Sequence, residues 1–200
     1  MKTSTGFLTG TMLLASLVAL GADGEKTAKE KEVNLLVNGS FEEGPEIGDM
    51  GFNYAEKGSK DIKGWEVTRA QIDYIGDYWE AADGKRSIDL HGSPGLGGIK
   101  QTFKTKKGQK YRLSFSLAGN PDGTINEKKM GVKVAGKQVD YEEFTFNVEG
   151  KSRSNMGWTT QVWDFTATDK ETTLELFTTM TMDENYGAAI DNVSVVELKE

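Results

Sequence analysis

The chain has no cysteine and one histidine in 200 residues. The first absence excludes disulfides, thiolate zinc sites and cysteine nucleophiles together. The second excludes metal centres built from two or three histidines. His91 also lacks the G-x-S-x-G elbow of a Ser-His-Asp hydrolase. Beside Gly92-Ser93-Pro94-Gly95 it is expected in a turn or at the surface rather than against a ligand. Prolines number three against 24 glycines, which suits tight turns and bulges better than a Pro-rich linker. Lysines and arginines are scattered among a larger number of acids and form no basic stripe, so nucleic acid is not an expected partner. Gly95-Leu96-Gly97-Gly98 is followed by no P-loop lysine and no expected helix, which removes a phosphate cradle. Nothing points to a redox or nucleotide cofactor.

Long apolar runs are also missing. Phe7 to Leu20 is mostly apolar but is broken by Thr9, Gly10 and Thr11. It is shorter than the roughly 20 residues that span a bilayer. With Lys2 before it and Ala19 and Gly21 after it, this stretch reads as a secretory signal over residues 1–21, a retained membrane anchor being the alternative. Removing it takes away one lysine and leaves 23 basic and 31 acidic side chains, a formal charge of 23 − 31 = −8. Residues 22–32, ADGEKTAKEKE, are polar without an apolar period and read as a solvated, disordered leader. One domain is expected over residues 33–200, and it is long enough to bury a core unaided. The product is then secreted or periplasmic, with no membrane anchor once the signal is cleaved. Export without cysteine fits a bacterial source.

From Val33 onward short apolar alternations are separated by turn residues, and no amphipathic helix exceeds a turn or two. Tyr111, Leu113, Phe115 and Leu117 alternate with Arg112, Ser114 and Ser116, the period of a strand with one buried face. Similar runs lie at residues 65–68, 71–75, 87–90, 99–103, 132–135, 161–167, 173–177 and 189–198. Turn signals between them include Asp83-Gly84, Pro94-Gly95, Lys107-Gly108, Asp122-Gly123, Ala135-Gly136 and Thr168-Asp169. About nine or ten short strands so punctuated imply an all-β sandwich or jelly roll. The sequons at Asn38 and Asn192 sit in strand-end motifs and read as chance occurrences.

Three segments carry a resemblance: NLLVNGSFEEG at 34–44, Gly64-Trp65, and AAIDNVSV at 188–195. Their order and spacing are similar to those of galactose-binding-like carbohydrate-binding modules, and most similar to the domain of unknown function 642 family and its bacterial choice-of-anchor C relatives. The resemblance covers nearly all of Leu35 to Val196. It implies a galactose-binding-like jelly-roll β-sandwich whose first and last strands meet beside a structural calcium ion. The positions that match the ligands are Glu42 and Asp191, with a carbonyl near Ser40 and a group of the Asp83–Arg86 turn completing the shell. Calcium takes six to eight hard oxygens, so this donor set is chemically reasonable. The alternative is that Glu42 and Asp191 only accept backbone amides where the chain ends join.

Sugar recognition needs flat aromatic faces beside planar polar groups. The richest such stretch is Asp73 to Glu80, DYIGDYWE, which nominates Tyr74, Tyr78 and Trp79. Tyr78 and Trp79 fall between Gly76 and Asp83-Gly84, in a loop, so one of them contacts ligand or caps the sandwich. NPDG at 120–123 is a turn by composition, the family resemblance implies that Asn120 or Asp122 faces a ligand, and Trp158 is open between both roles. A noncatalytic module holding a cell-wall or extracellular polysaccharide is the leading expectation. A surface protein that binds another protein is the alternative, and a glycoside hydrolase is a lesser one.

Overall fold

A computed structural model describes residues 33–92, 95–135, 141–181 and 185–199. The expected signal and leader, and parts of the turns at Pro94 and Gly136, lie outside these residues. The described chain is all-β. Thirteen strands run in order: β1 Phe52–Glu56, β2 Glu66–Val67, β3 Gln71–Ile75, β4 Ser87–Asp89, β5 His91–Gly92, β6 Gly95–Leu96, β7 Gly98–Lys104, β8 Lys110–Gly119, β9 Glu127–Val134, β10 Glu142–Asn147, β11 Thr159–Thr166, β12 Glu171–Thr178 and β13 Ala188–Glu197. Every strand pair is antiparallel. One sheet has the order β1-β3-β4-β13-β8-β11 and the other β10-β9-β12-β7-β2, while β5 and β6 form a separate hairpin. The two sheets make a jelly-roll sandwich.

The core lies between them. Alternation on β8 buries Tyr111, Leu113, Phe115 and Leu117 on the inner face, where β12 supplies Leu174 and Leu176 and β9 supplies Met130 and Val132. Each fully buried aliphatic side chain contributes about 1.5–3 kcal/mol. On β8 the alternation stops at Ser116, and every residue from there to Gly119 is buried. β3 and β4 are likewise buried on both faces, as is the start of β13. The outer face of the six-stranded sheet is therefore roofed at one end. The roof is made by residues 77–82 and 152–158, which are bonded to each other from Glu80 N to Arg153 O and from Trp158 Nε1 to Glu80 O, both at 2.9 Å.

The leading segment runs beside β13, as expected, though as an irregular stretch rather than a strand. Leu35 N donates to Val195 O at 2.8 Å and Val193 N to Gly39 O at 2.8 Å. Asn34 fastens the bulge in β13: its Nδ2 donates to Val193 O, and its Oδ1 accepts from Val195 N at 2.9 Å. Phe41 is fully buried 5.3 Å from the ring of Trp65. Asn38, Phe41 and Asn192 have positive φ, and all three belong to this junction. Asparagine tolerates that conformation and phenylalanine does not, so the surrounding contacts hold Phe41 in it.

His91 departs from expectation. It is fully buried, because the β5–β6 hairpin folds back on β3 and the neighbouring loop, with Gly97 N on Leu90 O and Ala70 N on Leu96 O. Its own amide donates to Asp89 Oδ1 at 3.0 Å.

Candidate functional site

Register decides which side chains share the roofed face. Tyr54 lies opposite Asp73, Asp73 opposite Asp89, Asp89 opposite Ala189, and Ala189 opposite Ala118. Cross-strand partners project to the same side, so these residues form one row across the outer face. Phe52, Ile75 and Ser87 form the next row. The small residues Ser87, Ala118 and Ala189 leave the height that the roof occupies.

A cleft of about 190 Å³ opens beside this roof. Its floor is Asp73 and Ile75, its aromatic walls are Phe52, Tyr54, Tyr78 and Tyr186, and Asn120 and Asn185 complete it. Tyr54 stands on β1 at the sheet edge with 48% of its surface exposed. The ring of Phe52 lies edge-on to Tyr54 at 5.4 Å and to Tyr78 at 5.2 Å.

One wall is fixed by a polar chain. Tyr78 Oη donates to Asp122 Oδ2 at 2.7 Å, and Arg153 Nη2 donates to the same oxygen at 2.6 Å while bonding Tyr78 Oη. The Arg153 guanidinium also stacks 3.8 Å above the Tyr78 ring. Asp122 N donates to Asn120 Oδ1, and Asn120 Nδ2 donates to Asp89 Oδ2 at 2.9 Å. Burial opposes ionisation of Asp122, but the Arg153 guanidinium and the Tyr78 hydroxyl outweigh it and hold the carboxyl below its ordinary range. Burial and the neighbouring Asp122 push Tyr78 up to about 12.

The structure thus brings Tyr78, Asn120 and Asp122 together at one cleft and places Tyr74 and Trp79 elsewhere. Tyr74 faces the core, because strand alternation sets it opposite Asp73, and its Oη donates to Phe41 O at 2.6 Å. Trp79 is 4% exposed, with Nε1 donating to Ser87 Oγ at 2.8 Å, and anchors the roof. Its loop is real, but the loop folds down over the sheet. Trp158 is half-buried beside it.

Sequence reasoning missed Tyr54, Phe52, Asp73, Tyr186 and Arg153. The dipeptide Ile-Asp occurs on β3, β4 and β13, as Ile72-Asp73, Ile88-Asp89 and Ile190-Asp191. Each isoleucine is fully buried in the core, so each aspartate must face outward under the roof. Burial, reinforced by the charge of Asp89, raises Asp73 to about 8. Burial raises Asp89 to about 7 against the opposing bonds from Asn120, His91 N and Gly187 N.

The third aspartate meets the remaining predicted residues. Asp191 Oδ2 accepts from Ala82 N and Asp83 N, both at 2.8 Å. Glu42 Oε1 accepts from Lys85 N and Arg86 N, both at 2.8 Å, and Ser40 Oγ donates to Asp83 Oδ2 at 2.6 Å. Gly84 has φ +63°, and a Cβ there would fall 2.3 Å from Glu42 Oε1. Burial lifts Asp191 to about 7. Ser40, Glu42, Asp83 and Asp191 therefore do converge on one turn, with carboxylate oxygens that accept amides. Among the described residues no group of three or more histidine, aspartate or glutamate side chains is arranged to hold a metal ion.

A larger cleft, about 640 Å³, lies beyond that turn and is lined by Asp49, Asp77, Glu80, Lys85 and Arg86, with Trp79 its one aromatic ring. Charges of both signs line it and no exposed ring does, so the smaller cleft has the better chemistry for a sugar.

Comparison with known proteins matches these features to a family. Halomucin of Haloquadratum walsbyi is 34% identical over 174 residues, covering 84% of this chain; the chain spans 2% of that protein's length. Among solved structures, TmCBM61 in complex with beta-1,4-galactotriose is 15% identical, with 84% of this chain and all of that chain covered at a TM-score of 0.48. Arabinose-bound MgGH51 α-L-arabinofuranosidase is 12% identical over 83% of this chain and 26% of its own, at a TM-score of 0.53, a likeness of fold. A family model described as "Protein of unknown function (DUF642)" matches residues 34–196, so the chain belongs to the DUF642 family.

Proposed function

We propose that the protein is an extracellular, noncatalytic carbohydrate-binding module whose site is the cleft between Tyr54, Tyr78 and Asp73. The observation that carries this is an exposed aromatic rim over a polar floor, the combination that packs the apolar face of a pyranose and pairs its hydroxyls. The arabinose named with the arabinofuranosidase structure above is in keeping with it.

The paired carboxylates argue for holding rather than cleaving. Glycosidases set their two carboxyls about 5–9.5 Å apart across the scissile bond. Asp73 and Asp89 are direct cross-strand partners, and Asp89 is committed to Asn120, His91 N and Gly187 N. Only Asp73 of the pair is left for a ligand. A structural calcium ion at the Ser40, Glu42, Asp83 and Asp191 junction is part of the proposal. The donors there are hard oxygens, and lone-pair capacity for a cation is left on Glu42 Oε2, which accepts no amide, and on Asp191 Oδ1, which accepts only Asn192 N.

Affinity electrophoresis on a panel of soluble and insoluble polysaccharides tests the reading. Wild-type protein is retained by at least one, and Tyr54→Ala weakens retention by about 1–3 kcal/mol, the scale of aromatic stacking on a planar ligand. Because Tyr54 is exposed, its loss leaves the melting temperature nearly unchanged. Passage through every glycan tested, or release of reducing sugar, would refute it.

A further inference from the structure

Asp73 is more than nine-tenths buried, and its carboxyl makes no hydrogen bond among the described residues. Oδ1 is sealed from solvent, and the residue forms part of the cleft floor. Its partner across the strands is different: Asp89 accepts from Asn120 Nδ2, His91 N and Gly187 N. Of two adjacent carboxyls under one roof, one is saturated by the protein and the other is left without a donor. Buried polar groups are nearly always paired, so an orphan at the floor of a cleft marks a place where something else donates. Raised to about 8, Asp73 keeps a proton near neutrality and can both donate and accept, which matches a sugar hydroxyl.

Size and closure narrow the ligand. About 190 Å³ is small beside the roughly 300–1,000 Å³ clefts that bury drug-sized molecules, and it is of the order of a single sugar ring. The side formed by Tyr78, Asp122 and Arg153 is tied shut by hydrogen bonds, whereas the Tyr54 side stands at the exposed sheet edge. A ring can enter from that edge, while the bonded side gives a chain no way out there.

We propose that Asp73 is the ligand-reading residue of the cleft, and that the cleft takes one terminal sugar ring of a neutral glycan, a hydroxyl of which pairs with the Asp73 carboxyl while Tyr54 covers its apolar face. The inference rests on the glycan-binding reading above and adds where on the glycan the protein binds.

Isothermal titration at pH 7 tests it with D-galactose, D-glucose, D-mannose, D-xylose and L-arabinose, beside linear homo-oligosaccharides of each from two to six units. For the sugar that binds, affinity stays within about threefold from monomer to hexamer, since one ring makes the contacts. Asp73→Ala weakens binding by about tenfold or more, and Asp73→Asn, which keeps an acceptor and adds a donor, weakens it less. Both variants fold, because the carboxyl has no protein partner to lose, and a thermal melt verifies this. Affinity that climbs tenfold with chain length overturns the inference, as does an Asp73→Ala variant that binds like wild type. Retention of wild type on a polysaccharide gel without any titratable monosaccharide overturns it too, and leaves the broader reading standing. Passage of wild type through every polysaccharide removes both together.

Discussion

Replacing Asp73 by asparagine should stabilise the protein in alkali and leave it unchanged in acid. The folded state holds the Asp73 proton up to about pH 8, while an unfolded aspartate releases it near 3.8. Between those values the folded chain binds more protons, so wild-type stability is full below about pH 4 and is lost progressively as pH rises to about 8. At 1.36 kcal/mol per unit the difference sets a ceiling of roughly 5–6 kcal/mol. Titration coupled to Asp89, together with water entering the cleft, reduces the expected gain of Asp73→Asn to about 1–3 kcal/mol at pH 9. Urea unfolding followed by tryptophan fluorescence at pH 4, 6, 8 and 9, in chelator and at fixed ionic strength, measures it. The advantage of the variant should grow from pH 4 to 8 and level off above, with an unchanged denaturant slope. A stability difference that is flat across this range, or that favours wild type at pH 9, would refute the claim that the carboxyl is buried without a partner. The other two outward aspartates shift the whole protein the same way: Asp89 and Asp191, each raised to about 7, add penalties that appear as pH rises. The carboxyls held low, Asp122 by Arg153 and Tyr78, and Asp164 by Arg112, lose their contribution only as pH falls below about 4. Wild type should therefore melt highest near pH 4, falling off on both sides.

Further outcomes follow from single contacts. Asn120→Ala removes the amide that joins Asp89 to the Asp122 turn and should cost about 1–3 kcal/mol in a denaturant titration, since it leaves the buried Asp89 Oδ2 with only the long 3.5 Å bond from Gly187 N. Gly84→Ala meets both a positive φ and the Glu42 carboxylate, and should lower the melting temperature, whereas Gly108→Ala, with φ +84° and open space, should cost less. Calcium at a hundredfold excess over its Kd should stabilise the protein by about 2.7 kcal/mol, with chelator reversing the gain and Asp191→Asn abolishing it. A melt indifferent to both calcium and chelator removes the ion from the proposal.

The fold was legible because β8 and β13 write their burial as alternation. What hid from the sequence was local. β1, FNYAE, and β10, EEFTFN, are short edge strands whose exposed polar and aromatic residues mask the period, and β5 and β6 are two-residue pieces set by a hairpin's docking. Around the cleft, the aromatic loop composition pointed to Tyr78 and the family resemblance to Asn120 and Asp122, and the Asp122–Tyr78 hydrogen bond brings the two segments together. Composition left Trp79 open between platform and cap, because a loop's residue types do not reveal whether the loop stands up or lies down. Tyr54 and Asp73 were missed because their meeting is a matter of cross-strand register, which joins residues far apart in the chain. The repeated Ile-Asp pairs were the signal that could have exposed it, once each isoleucine was assigned to the core.

The Asn34 fastening on β13 has a bearing on how the molecule comes into being. Residues 34 and 195 are bonded across 161 positions, and β13 lies between β4 and β8 at the middle of its sheet. A nascent polypeptide cannot join β4 to β8 in the six-stranded sheet until Ala188–Glu197 has been made. Such non-local closure is slow and leaves unpaired edges waiting. A chain cut short before Ala188 would have β1-β3-β4 and β8-β11 with no strand to join them.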